Sequence, residues 1–145
     1  MMRTLNRSRP AIGAQAVGLA QGALDYLIHF VKGKEKEDSL GVQFMLADMA
    51  VEIEAARALV YKAANMMDEK AKGTPVQMFS AMSKYFASDV AMKVTTDAVQ
   101  ILQWRGLTKN HPVERMMRDA KVIQIFEGTN QIQRMVVAHT VLKFK

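Results

Sequence analysis

Apolar residues recur at spacings of three and four along three long segments of this chain, a period that predicts amphipathic helices. In the first, Ile12, Ala16, Leu19, Ala23, Leu27 and Phe30 share one face. The second repeats the pattern through Val42, Met45, Met49, Ile53, Ala56, Val60, Ala63 and Met67, and the third through Phe79, Met82, Phe86, Val90, Val94, Ala98 and Ile101. No segment sustains an apolar–polar alternation, so strands are not expected. Breakers at Pro10, Gly33 to Gly41, Gly73-Thr74-Pro75 and Gly106 to Pro112 separate the segments. Ser8 is expected to cap the first helix, with Pro10 in its first turn, where a missing N–H costs nothing. Pro112 opens a shorter helical piece through Met116, Met117 and Ala120. Gly128-Thr129 then interrupts before a final run of Ile132, Met135, Val136, His139 and Leu142, with Thr129 as its N-cap. Three long helices and a broken fourth predict an all-α fold, an antiparallel four-helix bundle forming a single domain over residues 1–145.

Composition narrows what such a bundle can do. A chain of 145 residues buries about two-thirds of its unfolded surface on folding, enough for a core without metals or disulfides. The absence of cysteine excludes disulfides, zinc-thiolate sites, iron–sulfur clusters and a thiol nucleophile. His29, His111 and His139 are isolated, without His-Glu-x-x-His spacing or carboxylates placed for a di-metal site, so no metal is expected. No phosphate-binding glycine loop can be written anywhere in the chain. The net charge is +6, but the densest charged stretch, Lys32 to Asp38, alternates in sign and the aromatics are scattered. Nucleic-acid binding is therefore not expected. No run approaches the roughly 18–20 apolar residues of a membrane span, and the first ten residues do not lead into a signal peptide, which suggests a soluble, intracellular protein.

Other residues have ready structural explanations. The twelve methionines lie mostly on the apolar stripes, where thioethers fill irregular gaps. Gly18 and Gly22, four apart, would let a neighbouring helix approach closely. Asp48 with Glu52, and Glu54 with Arg57, read as a solvated face or an i,i+3 ion pair rather than as acid/base pairs. Glu127 is different. It follows Ile125-Phe126 and precedes a glycine just ahead of a helix N-terminus. Apolar neighbours disfavour the charged form of a carboxylate, as a base working near neutral pH requires. A charge complementing the helix dipole explains the same position, and from the residues alone it is the preferred reading.

The run from Pro112 to Arg134, with its Glu127-Gly128-Thr129-Asn130-Gln131-Ile132-Gln133-Arg134 segment, resembles the C-terminal helical domain of acyl-CoA dehydrogenases. Arg9 to Asp25, Val42 to Ala64 and Ala98 to Leu102 extend the resemblance in order through nearly the whole chain. It implies a four-helical domain at the centre of a homo-oligomer, a dimer or tetramer. It also implies a family reaction, FAD-dependent α,β-dehydrogenation of an acyl-CoA, in which a carboxylate takes the α proton and the β hydride passes to the flavin. By resemblance to the short- and medium-chain branches, Glu127 is that carboxylate. Thr129 and Gln131 match flavin contacts, Gln100 matches a contact to the flavin of a neighbouring subunit, and Arg9 and Gly128 match positions on the substrate side.

Two family elements on the pyrophosphate side of FAD are altered. Aligned through Gly33, His29 and Lys32 replace the Arg and Phe of an Arg-x-x-Phe-Gly signature, and Gln103 and Trp104 replace two glycines of a Gly-Gly-x-Gly-Tyr loop. Histidine lacks the two-pronged grip of a guanidinium, and an indole at Trp104 would fill space that glycines leave open. The resemblance also leaves the family's N-terminal helical and middle β domains outside this chain. The expectation is of a cytoplasmic protein (mitochondrial matrix in a eukaryote) that binds FAD weakly or not at all and is inactive alone. The alternatives are a subunit of a split flavin enzyme, its other domains and acyl-CoA supplied with another chain, and a non-catalytic or engineered helical scaffold.

Overall fold

Five helices follow one another without an intervening strand among the described residues: α1 (Met2–Val31), α2 (Leu40–Asp68), α3 (Thr74–Leu102), α4 (Val113–Ile123) and α5 (Asn130–Lys143). The computed structural model describes residues 2–33, 39–69 and 74–143, without the side chains of residues 2–6 and 74. Most of the charged Lys32–Asp38 stretch, residues 34–38, lies outside them. The bundle expected from the periodicity is present, with α4 and α5 forming the broken fourth helix. The third helix is its axis: α3 packs against α1, α2, α4 and α5, and among the described helices α5 leans on α3 alone.

The stripes read from the sequence form the core. Ala16, Ala23 and Leu27 of α1 meet Met49, Ile53, Ala56 and Val60 of α2 and Val90, Val94, Ala98 and Ile101 of α3, all buried, with Val113, Ala120 and Ile123 of α4 closing the end. Alanine does more of this filling than methionine. Met49 is the buried methionine of the core, while Met45, Met92 and Met116 pack around its edge and Met135 is 66% exposed. Small side chains at Ala16, Ala20, Ala87 and Ala91 let the axes approach closely, leaving little volume for a long thioether.

Three local expectations are corrected. Helix α1 begins at residue 2 and runs through Pro10, so Ser8 is not its N-cap. The ring at Pro10 removes one bond of the helical ladder, and tertiary contacts of the neighbouring residues, buried Arg9 among them, hold the helix across the gap. The close approach expected at Gly18 and Gly22 occurs at Gly13 instead. A Cβ there would lie 2.9 Å from Val60 Cγ2 and 3.0 Å from the Ser83 carbonyl oxygen, whereas nothing lies within 4 Å of one at Gly18 and only Met116 Cε, at 3.7 Å, near one at Gly22. Gly13→Ala is therefore expected to cost about 2 kcal/mol by pushing α1 off α3, and Gly18→Ala to gain about 0.5–1 kcal/mol from helix propensity. Urea unfolding of the two variants, run side by side, checks both signs.

The third correction concerns α5. Ile132, Met135 and Leu142, placed on its packing face by the sequence pattern, are 46%, 66% and 75% exposed, and the buried residues are Asn130, Gln133 and Thr140. Thr129 is the N-cap as expected, its Oγ1 accepting from the Ile132 N–H at 3.4 Å. This helix therefore turns polar side chains toward α3 and much of its apolar surface outward.

Candidate functional site

A polar seam runs between α3 and the α4–α5 connection, and a row of side chains on α3 builds half of it. Ser80, Lys84 and Ser88 recur every four residues beside the apolar stripe and are fully buried. Lys84 Nζ donates to the Gly128 carbonyl at 2.9 Å and to Asn130 Oδ1 at 2.8 Å. Asn130 Nδ2 in turn donates to Ser88 Oγ at 2.8 Å and to Asp89 Oδ1 at 2.7 Å. Asp89 also accepts from Gln124 Nε2 at 2.7 Å and pairs with Arg134 at 2.8 Å. Gln133 Nε2 is a second donor to the Gly128 carbonyl, at 3.0 Å.

This seam is needed because the chain turns in an unusual way above it. Glu127 has φ 56° and Gly128 φ 93°, two successive residues in the left-handed region, where a residue with a Cβ is strained. Left-handed residues divert the backbone from the helical path, so the carbonyls of 127 and 128 are not taken up by a helical ladder. Buried carbonyls require donors, which Lys84 and Gln133 supply. Glycine suits the φ of 93° at 128, and a Cβ there would sit 2.7 Å from Gln133 Nε2, so a larger residue would have to displace the end of that side chain.

The turn aims the Glu127 carboxylate at α1. Ser8 Oγ donates to Glu127 Oε2 at 2.7 Å, so the residue expected as a helix cap instead orients the candidate base. Apolar enclosure by Ile125 and Phe126 does not occur: they are 56% and 36% exposed. The half-buried carboxylate has polar and cationic company. Arg9 is 2% exposed; burial pushes its guanidinium below its ordinary value, and Glu127 opposes that shift. Lys84 is lowered to about 8, chiefly by burial and further by Arg9, against the pull of Asp89 and Glu127. Beside the turn, Phe126 lines a depression of about 440 Å3 with Gln15, Leu19, Asp119, Val122 and Ile123.

Arg9, Glu127 and Gly128 are thus brought together, with Thr129 adjoining them at the head of α5. Gln131 is exposed, in a cleft with Lys93, Lys121 and Arg134. Gln100 is not brought to this group. It is exposed near the C-terminal end of α3, beside Ser39, Val42, Met45 and Gln103. It lies twelve residues beyond the Ser88 that touches Asn130, about 18 Å farther along the helix at 1.5 Å per residue. Ser8, Lys84, Asn130 and Gln133 were missed by sequence reasoning, although the polar stripe at Ser80, Lys84 and Ser88 on an otherwise apolar helix is a signal that could have exposed the seam.

The altered positions lie on the surface. His29 and Lys32 are exposed near the end of α1 and present no guanidinium. Gln103 occupies a left-handed conformation, φ 59°, with the strain a glycine would relieve. Trp104 does not turn into the bundle but lies 69% exposed, with the Arg105 guanidinium 5.6 Å from its ring centre. Gly106, the glycine retained there, makes room for α3: a Cβ would meet the Val99 backbone at 2.9 Å. The described residues contain no group of three potential metal ligands and no helix long and apolar enough to cross a membrane.

Comparison with known proteins adds relatives to this geometry. The family described as acyl-CoA dehydrogenase, C-terminal domain, matches residues 1–142. The chain is 54% identical to the probable acyl-CoA dehydrogenase FadE25 of Mycobacterium tuberculosis, over 98% of its own length and 37% of that protein's. It is 46% identical to the cyclohexane-1-carbonyl-CoA dehydrogenase of Geobacter metallireducens, with coverages of 98% and 38%. The structure of butyryl-CoA dehydrogenase from Megasphaera elsdenii superimposes with a TM-score of 0.92 at 44% identity, covering 97% of this chain and 37% of that one.

Proposed function

Because this chain belongs to the acyl-CoA dehydrogenase family and matches its C-terminal domain, we propose that it supplies the carboxylate base, Glu127, for α,β-dehydrogenation of an acyl-CoA thioester. The single observation that carries this reading is the Ser8–Glu127 hydrogen bond above a strained, fully buttressed turn. A half-buried carboxylate held by a hydrogen bond, next in the chain to a residue that lines a depression, Phe126, suits proton removal from a carbon acid, because positioning contributes to such a step alongside basicity. The chain's own residues divide that work. Glu127 accepts the α proton on one carboxylate oxygen, and Ser8 keeps the carboxylate oriented. Arg9 brings a guanidinium to the same side of the turn. Arg9 and Gly128 form the substrate side of the turn.

The chain spans about 37% of the length of the curated relatives it matches, and the acyl-CoA reaction belongs to an assembly with their other regions, in the cytoplasm. Within this chain Gln131 shares a cleft with Lys93 and Asp97, whereas Gln100 lines a different depression, with Ser39 and Gln103. The resemblance gives Gln100 to the flavin of a neighbouring copy, so the full set of flavin contacts calls for two copies. A homo-oligomer, dimer or tetramer, supplies the second copy and covers Ile132, Met135, Val141 and Leu142, the exposed apolar side chains of α5. Flavin affinity is weakened or lost at His29, Lys32, Gln103 and Trp104. An absorbance spectrum with an FAD titration, alongside the mass in solution, checks both parts: a colourless dimer or tetramer is expected. A yellow protein with stoichiometric FAD overturns the first, and a monomer the second. The base assignment is tested by Glu127→Gln.

A further inference from the structure

The feature left unexplained by that reading is a lysine with no exposed surface at all, Lys84, on a helix whose other buried side chains are apolar or carry hydroxyls. A buried ammonium is costly unless every direction it faces is answered, and this one is answered entirely by the turn opposite it. Its two acceptors, the Gly128 carbonyl and Asn130 Oδ1, lie on either side of Thr129, the N-cap of α5. Behind Asn130, Ser88 and Asp89 fix the amide so that its oxygen faces the lysine.

We propose that Lys84 is the positioning residue of this site: its ammonium, shared between Gly128 and Asn130, locks the left-handed Glu127–Gly128 turn and so keeps the Glu127 carboxylate on Ser8. The proposal rests on the reading of Glu127 as the base, but what it asserts is a property of the turn. Two successive residues of positive φ are held only when surrounding contacts over-determine them. Lys84 and Gln133 are the side-chain donors to the Gly128 carbonyl. Gln133 belongs to the helix that the turn introduces, so Lys84 is the donor that ties the Gly128 carbonyl to α3. Without it, 127 and 128 are free to relax toward ordinary backbone angles, and the carboxylate swings with them.

The charge on Lys84 makes this lock titrate. The groups facing it are Asp89 on its own helix, Arg9 from α1 and Glu127 from the turn, and Arg134 of α5 reaches the same seam through Asp89. Lowered to about 8 from 10.5, Lys84 binds fewer protons folded than unfolded between those values. Its contribution to stability therefore rises with pH through that window, while its bonds to Gly128 and Asn130 lose their charge assistance.

The test is solution NMR of the isotopically labelled chain. In the wild type, the amide signals of Gly128 and Asn130 are expected to move together with the Lys84 side chain, with a common midpoint near pH 8. In Lys84→Met those movements vanish. Amide exchange at 127–130 rises about tenfold or more while that of Met49 and Ile53, in the α2 core, changes less than twofold, the pattern of local rather than global opening. Restoring an ammonium at this position, through Lys84→Cys alkylated with bromoethylamine, brings the protection back. Unchanged exchange at 127–130 in Lys84→Met, or equal acceleration of turn and core, overturns the proposal. So does a wild-type turn whose signals do not follow the lysine, and that measurement stands even where the variants fail to fold. Loss of function in Glu127→Gln is read separately, so failure of either idea is recognised without the other.

Discussion

Glu127→Gln is expected to lower α-proton removal from an acyl-CoA by about a thousandfold, within the range that a positioned general base contributes. The amide oxygen of glutamine can still accept the 2.7 Å bond from Ser8 and its side chain has nearly the same volume, so the turn keeps its shape. What disappears is the basic oxygen. Exchange of the α hydrogen in deuterated water, followed in a complex reconstituted with a chain that supplies the remaining regions of the relatives, reads the step directly. The thermal midpoint of the same sample reports whether the turn has survived. Retention of wild-type exchange by the glutamine variant removes Glu127 from the mechanism. A modest loss of stability is expected alongside, since Arg9 and Lys84 lose the carboxylate that opposes the effect of their burial.

Gly128→Ala is expected to destabilise the bundle by about 3 kcal/mol, the sum of two independent penalties. Holding an L-residue at positive φ costs about 1–2 kcal/mol, and φ 93° lies beyond the usual left-handed basin. Overpacking a filled interior adds about 1–3 kcal/mol, because the new methyl would be 2.7 Å from Gln133 Nε2, a group held by its bonds to the turn. Gly33 is the internal control. Its φ of 73° is similarly left-handed, but nothing lies within 4 Å of a Cβ there, so Gly33→Ala incurs the conformational part alone. Denaturant unfolding of the pair separates the two penalties: a difference of 1 kcal/mol or more between them is expected. Equal losses would mean that Gln133 yields without cost.

A carboxylate at this position was legible as a candidate because it is the one acidic residue between an apolar pair and a glycine ahead of a helix start. The reason offered for its activation was not. Ile125 and Phe126 face outward, and the groups that surround Glu127 come from α1 and α3, more than forty residues or more than a hundred residues away in sequence. Ser8 shows the limit clearly. A serine two residues before a proline has a good local explanation as a helix cap, and only the position of α1 against the turn shows that it serves Glu127 instead.

The sequence by itself determined what depends on neighbours along the chain: the order of the helices and the breaks between them, the apolar faces of α1, α2 and α3, and the cap at Thr129, though not the start of α1. All of these follow from the 3.6-residue period and from hydrogen bonds that close within four residues. The tertiary structure decided what depends on the facing element. It placed the closest helix approach at Gly13 rather than Gly18, since only the partner's backbone sets where a Cβ is forbidden. It turned the polar side of α5 inward, because the stripe of Ser80, Lys84 and Ser88 on α3 presents donors and acceptors that an apolar face could not satisfy. It also set a buried lysine beneath the Glu127–Gly128 turn, where it donates to the Gly128 carbonyl.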